Sequence, residues 1–269
     1  MRQDILRSYL FVPATRIDRI AKAQMAGADA VIVDLEDAVA PTMKSEAREA
    51  LAHALPDASA VIVRVNSVDT QWFEEDLKLC AAIRVQGLVL PKAERAEDIK
   101  YVAERLGVGV TILPLIETAR GYDDIAMLCA APQVQRLMFG SIDFQLDLGI
   151  SGEGDELLFF RSGIVLASRL AAIQPPVDGV TVEVDDAVRV REDTLRSKRL
   201  GFGGKLCIHP KQVSAVNACF FPNEEEVAWA RRVLNACEKA NGAAVAVDGK
   251  MVDRPVIMKA EQIVREISK

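Results

Sequence analysis

Eight short apolar runs recur along the chain, most at intervals of roughly 25 to 30 residues, and they constrain the fold more than any other feature. They read SYLFVP, AVIVDLED, VIVRVN, GLVLPK, TILPLIET, RLMFGSID, GVTVEV and GKLCIHP, beginning at Ser8, Ala30, Val61, Gly87, Thr111, Arg136, Gly179 and Gly204. Each is rich in Val, Ile or Leu and too short for an ordinary helix. Most end in polar or turn residues, as strands buried on both faces do. Amphipathic helical patterns fill the intervals, as at Ile17–Ala26, Ser45–Leu55 and Leu157–Ile173. Strand and helix in alternation imply right-handed βαβ crossovers and a parallel sheet. Eight units in about 210 residues suit a closed α/β architecture, a (β/α)8 TIM barrel, better than an open sheet. The seventh run is the weakest, because VDGVTVEVDD sets its apolar residues among acids and turn formers.

After Pro210 the rhythm breaks. A helical pattern from Glu224 to Ala240 leads into NGAAVAVDGKMVDRP, which reads as a hairpin turning at Asp248-Gly249, and a last helix runs to Lys269. The predicted organisation is therefore a barrel over residues 1–221 and a helix-hairpin-helix extension over 222–269. A length of 269 residues accommodates one such barrel.

A net charge of −6 argues against a nucleic-acid footprint, but leaves room for an anionic small molecule held by a few local cations. The five cysteines are scattered, no CxxC pair occurs, and there are only two histidines, so neither a structural zinc site nor a disulfide framework is expected. The opening MRQDILRSYLFVPATR carries an acid at Asp4 and reads as mature sequence, not a signal peptide. No apolar run approaches the roughly 18 residues of a membrane span. A soluble, cytoplasmic protein with no membrane partner is expected.

Polar residues cluster just past the strands. Asp34, Glu36 and Asp37 follow the second, Arg64 and Asn66 the third, Lys92 the fourth, Glu117 the fifth, Asp143 the sixth, and His209 and Lys211 the eighth. Parallel strands all point one way, so these side chains gather at the C-terminal rim, where barrel enzymes build their active sites. Glu117 and Asp143 end neighbouring strands, and two convergent carboxylates make a hard oxygen site suited to Mg²⁺ or Mn²⁺. The alternative for each is a helix N-cap or a structural ion pair. Arg64 offers a fork of donors for a substrate carboxylate, or else a buried partner for one of the rim acids. In FGSIDF, Gly140 permits close backbone approach, and the N–H groups of Gly140 and Ser141 are placed to hold a substrate carboxylate. A plain strand-to-loop glycine is the other reading.

Six segments, RSYLFVPAT, VIVDLEDAV, VRVNS, LPLIETARG, FGSIDF and GKLCIHPKQV, occur in this order between Arg7 and Val213. Together they resemble the citrate lyase β-subunit-like branch of the HpcH/HpaI aldolase family, a likeness that extends to about Ala260. The resemblance implies a (β/α)8 barrel with a divalent metal, usually Mg²⁺, assembled as a trimer or hexamer. It also implies a reaction that makes or breaks a carbon–carbon bond between a 2-oxo acid and an acyl thioester. Carried over by position, Glu117 and Asp143 match the metal ligands and Arg64 the arginine on the oxo-acid portion. Gly140 and Ser141 match the carboxylate cradle, and Glu36 and Asp37 match acids beside the metal-bound water. GKMVDRPV resembles the segment that carries an aspartate into a neighbouring subunit, which gives Asp253 the role of proton carrier. Two departures stand out. Asp37 occupies the place of the histidine of the pyruvate aldolases, which ranks free-aldehyde chemistry lower, and Ala14 replaces the commoner glycine of FVPG near the thioester's carrier.

The reading that follows is a Mg²⁺-dependent lyase of a 3-hydroxy-3-carboxylated acyl-CoA, such as malyl-CoA or citramalyl-CoA. Arg16, Arg19 and Lys22, spaced by three after the first strand, are candidates for the CoA phosphates if a helix gathers them on one face; a solvated basic face is the alternative. Three rivals are a citrate lyase β subunit acting on an acyl-carrier-protein thioester, a Schiff-base aldolase using Lys92, and a non-catalytic barrel that binds oxo acids or CoA.

Overall fold

The computed structural model of the protein describes residues 6–55, 61–240 and 245–267. Strands β1 (Ser8–Pro13), β2 (Ala30–Asp34), β3 (Ile62–Arg64), β4 (Gly87–Leu90), β5 (Thr111–Ile116), β6 (Met138–Phe139), β7 (Val177–Asp178) and β8 (Gly204–Cys207) close into a barrel in sequence order. Every neighbouring pair is parallel, and β1 seals against β8 through Ser8↔Lys205, Tyr9↔Leu206 and Leu10↔Cys207.

The strands bury both faces. Tyr9, Ile32, Ile62, Leu113, Met138 and Leu206 fill the interior, and the intervening residues Val31, Val33, Val63 and Leu88 face the surrounding helices. Each such buried aliphatic side chain contributes about 1.5–3 kcal/mol by leaving water. That two-sided burial is why the runs are continuous and apolar instead of alternating.

The helices of the barrel part are α1 (Ile20–Met25), α2 (Lys44–Ala54), α3 (Phe73–Ile83), α4 (Ala96–Leu106), α5 (Ala119–Asp123), α6 (Ile125–Ala130), α7 (Ser141–Leu148), α8 (Leu158–Leu170) and α9 (Ala187–Leu200). Helix α10 (Pro210–Phe220) follows the last barrel strand. No helix among the described residues is long and apolar enough to cross a membrane.

Two elements differ from the sequence reading. The seventh strand is Val177–Asp178, upstream of the GVTVEV run, in which Val182 is half exposed. Asp178 disguised it, because a charge inside a two-residue strand resembles a turn until its buried partner is seen. The pattern at Ile17–Ala26 is not one helix: a 3-10 segment, Ala14–Arg19, kinks at Arg16 (φ −129°, ψ 52°) before α1 begins.

The chain divides into two compact units, Met1–Asn217 and Ala218–Lys269. In the second unit α11 (Glu224–Ala240) and α12 (Arg254–Ile267) pack through Ala230, Val233, Ala260 and Ile263. Between them in sequence, β9 (Val245–Val247) and β10 (Lys250–Val252) form an antiparallel hairpin. Its turn residues Asp248 and Gly249 both have positive φ (50° and 75°), the backbone a two-residue hairpin turn needs. Residues 241–244 of the anticipated hairpin, and 268–269 of the last helix, lie outside the described residues.

Candidate active site

The strand register brings the rim residues together. Asp34 and Arg64 are direct partners in the β2–β3 ladder, so their side chains emerge side by side. Arg64 donates from Nε to Asp34 Oδ1 (2.8 Å) and from Nη2 to Asp34 Oδ2 (2.7 Å), a bidentate pair that is almost wholly buried. Its third nitrogen, Nη1, lies 3.2 Å from Glu36 Oε2 and 3.5 Å from Asp37 Oδ2, and the guanidinium covers the Phe11 ring at 4.8 Å. Burial alone would lower the Arg64 pKa, but the Asp34 bonds outweigh it and raise the pKa above the ordinary arginine range. Of the two sequence readings of the fork, the structure shows the buried partner: Nε and Nη2 are taken by Asp34, and Nη1 turns toward Glu36 and Asp37.

Glu117 follows β5 and is 3 % exposed. Its Oε2 accepts a hydrogen bond from the N–H of Lys92 (2.8 Å), whose backbone is left-handed (φ 46°). Gly140 sits opposite, in the rung after Ile116↔Phe139; a Cβ there would lie 2.5 Å from Glu117 Oε1, so only glycine admits this carboxylate. Burial pushes the Glu117 carboxyl up to about 8; Glu36 and Asp143 beside it add to the rise, against the Lys92 N–H and Arg64. Glu36 is raised as well, by burial first, with Arg64 opposing. Its Oε1 accepts from Lys92 Nζ (3.0 Å), while Oε2 is buried without a hydrogen bond of good geometry despite the nearby Arg64.

Asp143 stands half-buried in the first turn of α7, where the helix N-terminus favours a carboxylate. A cavity of about 390 Å³ opens over these groups and is bounded on its polar side by Asp34, Asp37, Arg64, Glu117, Ser141 and Asp143. Phe11, Leu115, Phe139, Val180, Leu206 and Ile208 form its apolar wall. Among the described residues no three His, Cys, Asp or Glu side chains converge as a complete metal cage. Two carboxylates with the remaining positions open is instead the donor set of a Mg²⁺ ion that keeps water or substrate oxygens. The rim also holds five carboxylates (Asp34, Glu36, Asp37, Glu117 and Asp143) against Arg64, Lys92 and Lys44, a deficit of positive charge that a divalent cation fits.

One element of the anticipated carboxylate cradle is corrected. Gly140 N–H donates to Ile116 O (2.9 Å) and completes the barrel ladder, so it is not offered to a ligand. The backbone N–H groups that start a helix and have no partner within it are those of the first turn of α7, from Ser141. Ser141 Oγ is buried without a hydrogen-bond partner and presses against Gly179, where a Cβ would overlap it.

The three cations proposed for CoA are exposed, but the kink at Arg16 keeps them off one continuous helix. Arg16 donates to both oxygens of Asp18 (2.9 Å each). Lys92 departs from what a Schiff-base lysine needs: burial lowers its pKa, but Glu36 more than restores it, and the ammonium is held above its ordinary value. Asp253, in the second unit, is exposed and caps α12 by accepting from Val256 N (3.2 Å). A second cavity, of about 300 Å³, runs along α9 from Arg189 to Arg199; Arg189 and Arg196 there pair with Asp193, and no rim residue lines it.

Sequence reasoning missed Lys44, whose Nζ donates to Leu35 O (2.6 Å) and Glu36 O (2.7 Å). The signal for it is a cation in the first turn of a helix, where the macrodipole disfavours one.

Residues 7–210 match the family model HpcH/HpaI aldolase/citrate lyase. The chain is 36% identical to a citrate lyase subunit beta-like protein of Deinococcus radiodurans, over 96% of both chains. It is 36% identical to a (3S)-malyl-CoA thioesterase of Cereibacter sphaeroides, over 95% of this chain and 92% of that one. Among solved structures, CitE from Mycobacterium tuberculosis, in complex with magnesium, acetoacetate and coenzyme A, superposes with a TM-score of 0.89 at 35% identity, covering 98% of this chain and 99% of that one.

Proposed function

The chain belongs to the HpcH/HpaI aldolase/citrate lyase family, and on that premise we propose that it is a Mg²⁺-dependent carbon–carbon lyase. Its substrate is a 3-hydroxy-3-carboxylated acyl-CoA such as malyl-CoA or citramalyl-CoA, cleaved to a 2-oxo acid and an acyl-CoA or formed from them. The observation that carries this reading is Glu117, a buried carboxylate given one backbone N–H and a glycine-shaped space beside Asp143. Such a group is costly to bury without a cation. The solved relative that holds magnesium, an oxo acid and coenzyme A supports the same assignment.

Glu117 and Asp143 would hold Mg²⁺, with Mn²⁺ as a substitute. When bound, the ion supplies Lewis-acid charge at the substrate's hydroxyl and carboxylate oxygens. The chain's own groups do the rest. The N–H groups at the start of α7, from Ser141, and Nη1 of Arg64 orient the substrate carboxylate, with Gly140 giving the close approach. The hydroxyl proton passes toward the Glu36–Asp37 pair. As the carbon–carbon bond breaks, its electron pair moves into the thioester, and Asp253 of a second copy returns a proton to that carbon. In the condensing direction Asp253 removes it. Arg16, Arg19 and Lys22 meet the CoA phosphates from separate segments, not from one helix face. We place the boundary between catalytic barrel and extension near residue 221, assign a trimer or hexamer as the working assembly, and assign the cytoplasm as its location.

The test is an assay on both CoA esters, with Mg²⁺ and with EDTA, that follows released 2-oxo acid and free thiol separately. Metal-dependent glyoxylate or pyruvate with the thiol still acylated marks the lyase. Free thiol without oxo acid marks thioester hydrolysis instead and overturns the proposal. Turnover only of a carrier-protein thioester points to the citrate lyase β-subunit reaction, and binding without turnover to a regulatory barrel.

A further inference from the structure

We infer that Lys44 is a positioning residue of this active site, holding the peptides of Leu35 and Glu36 so that Glu36 meets Arg64 and Lys92 and Asp37 faces the cavity. The inference rests on the lyase reading for the reaction it serves. Lys44 is the first residue of α2 and is 4 % exposed. Its ammonium donates to two consecutive carbonyls, Leu35 O at 2.6 Å and Glu36 O at 2.7 Å, and lies 5.2 Å from the Trp72 ring centroid.

Lysine is a costly choice for a purely structural contact here, even with Asp34, Asp76, Glu36 and Asp37 nearby to offset its charge. A buried ammonium loses its hydration, a long side chain loses its rotamers, and a positive charge in the first turn opposes the helix dipole. Local rules broken at a buried position point to function.

What the position achieves is visible in its partners. Asp34 accepts from the opposite side of the same loop, taking Glu36 N at 2.9 Å and Ala38 N at 3.0 Å. Asn66 Nδ2 adds a third bond, to Leu35 O at 3.0 Å. An anion thus holds the N–H groups of residues 36 and 38, while a cation holds the carbonyls of 35 and 36. Between those clamps the Glu36 side chain reaches Lys92 and Arg64, and Asp37 turns to the cavity. Arg64 and Lys92 are engaged with carboxylates, whereas the Lys44 ammonium fixes the backbone of the loop after β2. Loss of it would let the Glu36 and Asp37 carboxylates swing, which affects the chemical step more than the binding of the thioester.

The experiment compares Lys44→Met and Lys44→Arg with Leu51→Ala, a fully buried position on the same helix with no polar contact to the loop. For each, kcat, KM, urea stability and hydrogen exchange at the amides of residues 36–38 are measured. Lys44→Met is expected to lower kcat about 100-fold with KM within about threefold, since misplacing groups by an ångström costs that much. Its amides at 36 and 38 should exchange at least about tenfold faster, as a locally opened segment does. Lys44→Arg should recover most of both losses. Leu51→Ala should lose comparable stability yet hold kcat and the loop's protection near wild type. Wild-type kcat and protection in Lys44→Met would overturn the inference, and so would parallel kcat losses in Lys44→Met and Leu51→Ala. If Lys44→Met does not fold, Lys44→Gln takes its place. If the wild type turns over neither thioester, the lyase reading fails by itself. The exchange comparison then decides Lys44: unchanged protection in the variant rejects it.

Discussion

Two buried carboxylates of the barrel invite comparison, because they have the same burial and opposite surroundings. Asp178, in β7, is fully buried and fully answered: Arg161 Nε donates to it at 3.0 Å, Gly179 N at 2.8 Å, and Ser197 Oγ closes the other oxygen. Burial alone would raise its pKa, but Arg161 and Lys205, with the Ser197 bond, hold it below the ordinary carboxylate range. Glu117 has one backbone N–H, two acids for neighbours, and a pKa pushed up to about 8. A closed set of partners marks a group that holds the fold together. An open side on a buried charge marks a place kept for something else.

Asp143→Asn gives the largest expected difference between the two sides. Metal-dependent turnover should fall by more than about 1,000-fold, as loss of a metal's electrostatic stabilisation does, with the unfolding midpoint unchanged. Retained turnover would remove Asp143 from the proposed metal site and weaken the contrast at its open end. Arg161→Met probes the closed end. Stripping the partner from Asp178 should cost about 3–5 kcal/mol in urea unfolding. A cost below about 1 kcal/mol would show that the Arg161–Asp178 pair does not hold the fold together.

A third carboxylate, Asp253, is neither buried nor closed, and its visible partner is the Val256 N–H. Asn caps helices as well as Asp does, so Asp253→Asn should leave the melting temperature unmoved. If Asp253 carries the proton, kcat falls about 100-fold or more all the same. Unchanged kcat would leave it a cap and nothing more.

The smallest effect is a pH dependence of opposite sign at the two buried sites. In EDTA-treated protein, Glu117 binds its proton more tightly folded than unfolded, between its ordinary value of 4.5 and about 8. Its contribution is therefore full below that window and lost as pH rises through it. Asp178, held low, contributes above its ordinary range and loses that as pH falls. Melting of the chelated protein should drop by several degrees from pH 5 to pH 8, and Mg²⁺ should restore it at pH 8. A flat profile that ignores Mg²⁺ would mean that Glu117 is already paired.

Much of this was legible in sequence, for reasons local to each segment. Strands buried on both faces must be apolar throughout, so β1 to β5 and β8 announce themselves. The hairpin turn was readable because Asp248-Gly249 suits positive φ. Strand β7 was misplaced because half of it is a charged residue whose acceptability depends on Arg161, 17 positions away. The kink at Arg16 and the diversion of Gly140 N–H into the ladder likewise depend on neighbours that no local pattern names.

By itself, the sequence determined the alternation of strand and helix, the parallel direction of the strands, and hence the gathering of Glu36, Arg64, Glu117 and Asp143 at one rim. Those follow from periodicity and chain direction, which are one-dimensional properties. Tertiary structure alone decided the pairing across the ladder. The register sets Arg64 beside Asp34 and Glu117 against Gly140, and the packing of α2 delivers Lys44 to the carbonyls after β2. Register and packing depend on distances between segments far apart in the chain. A charge's role, closed or open, is settled only when those distances are.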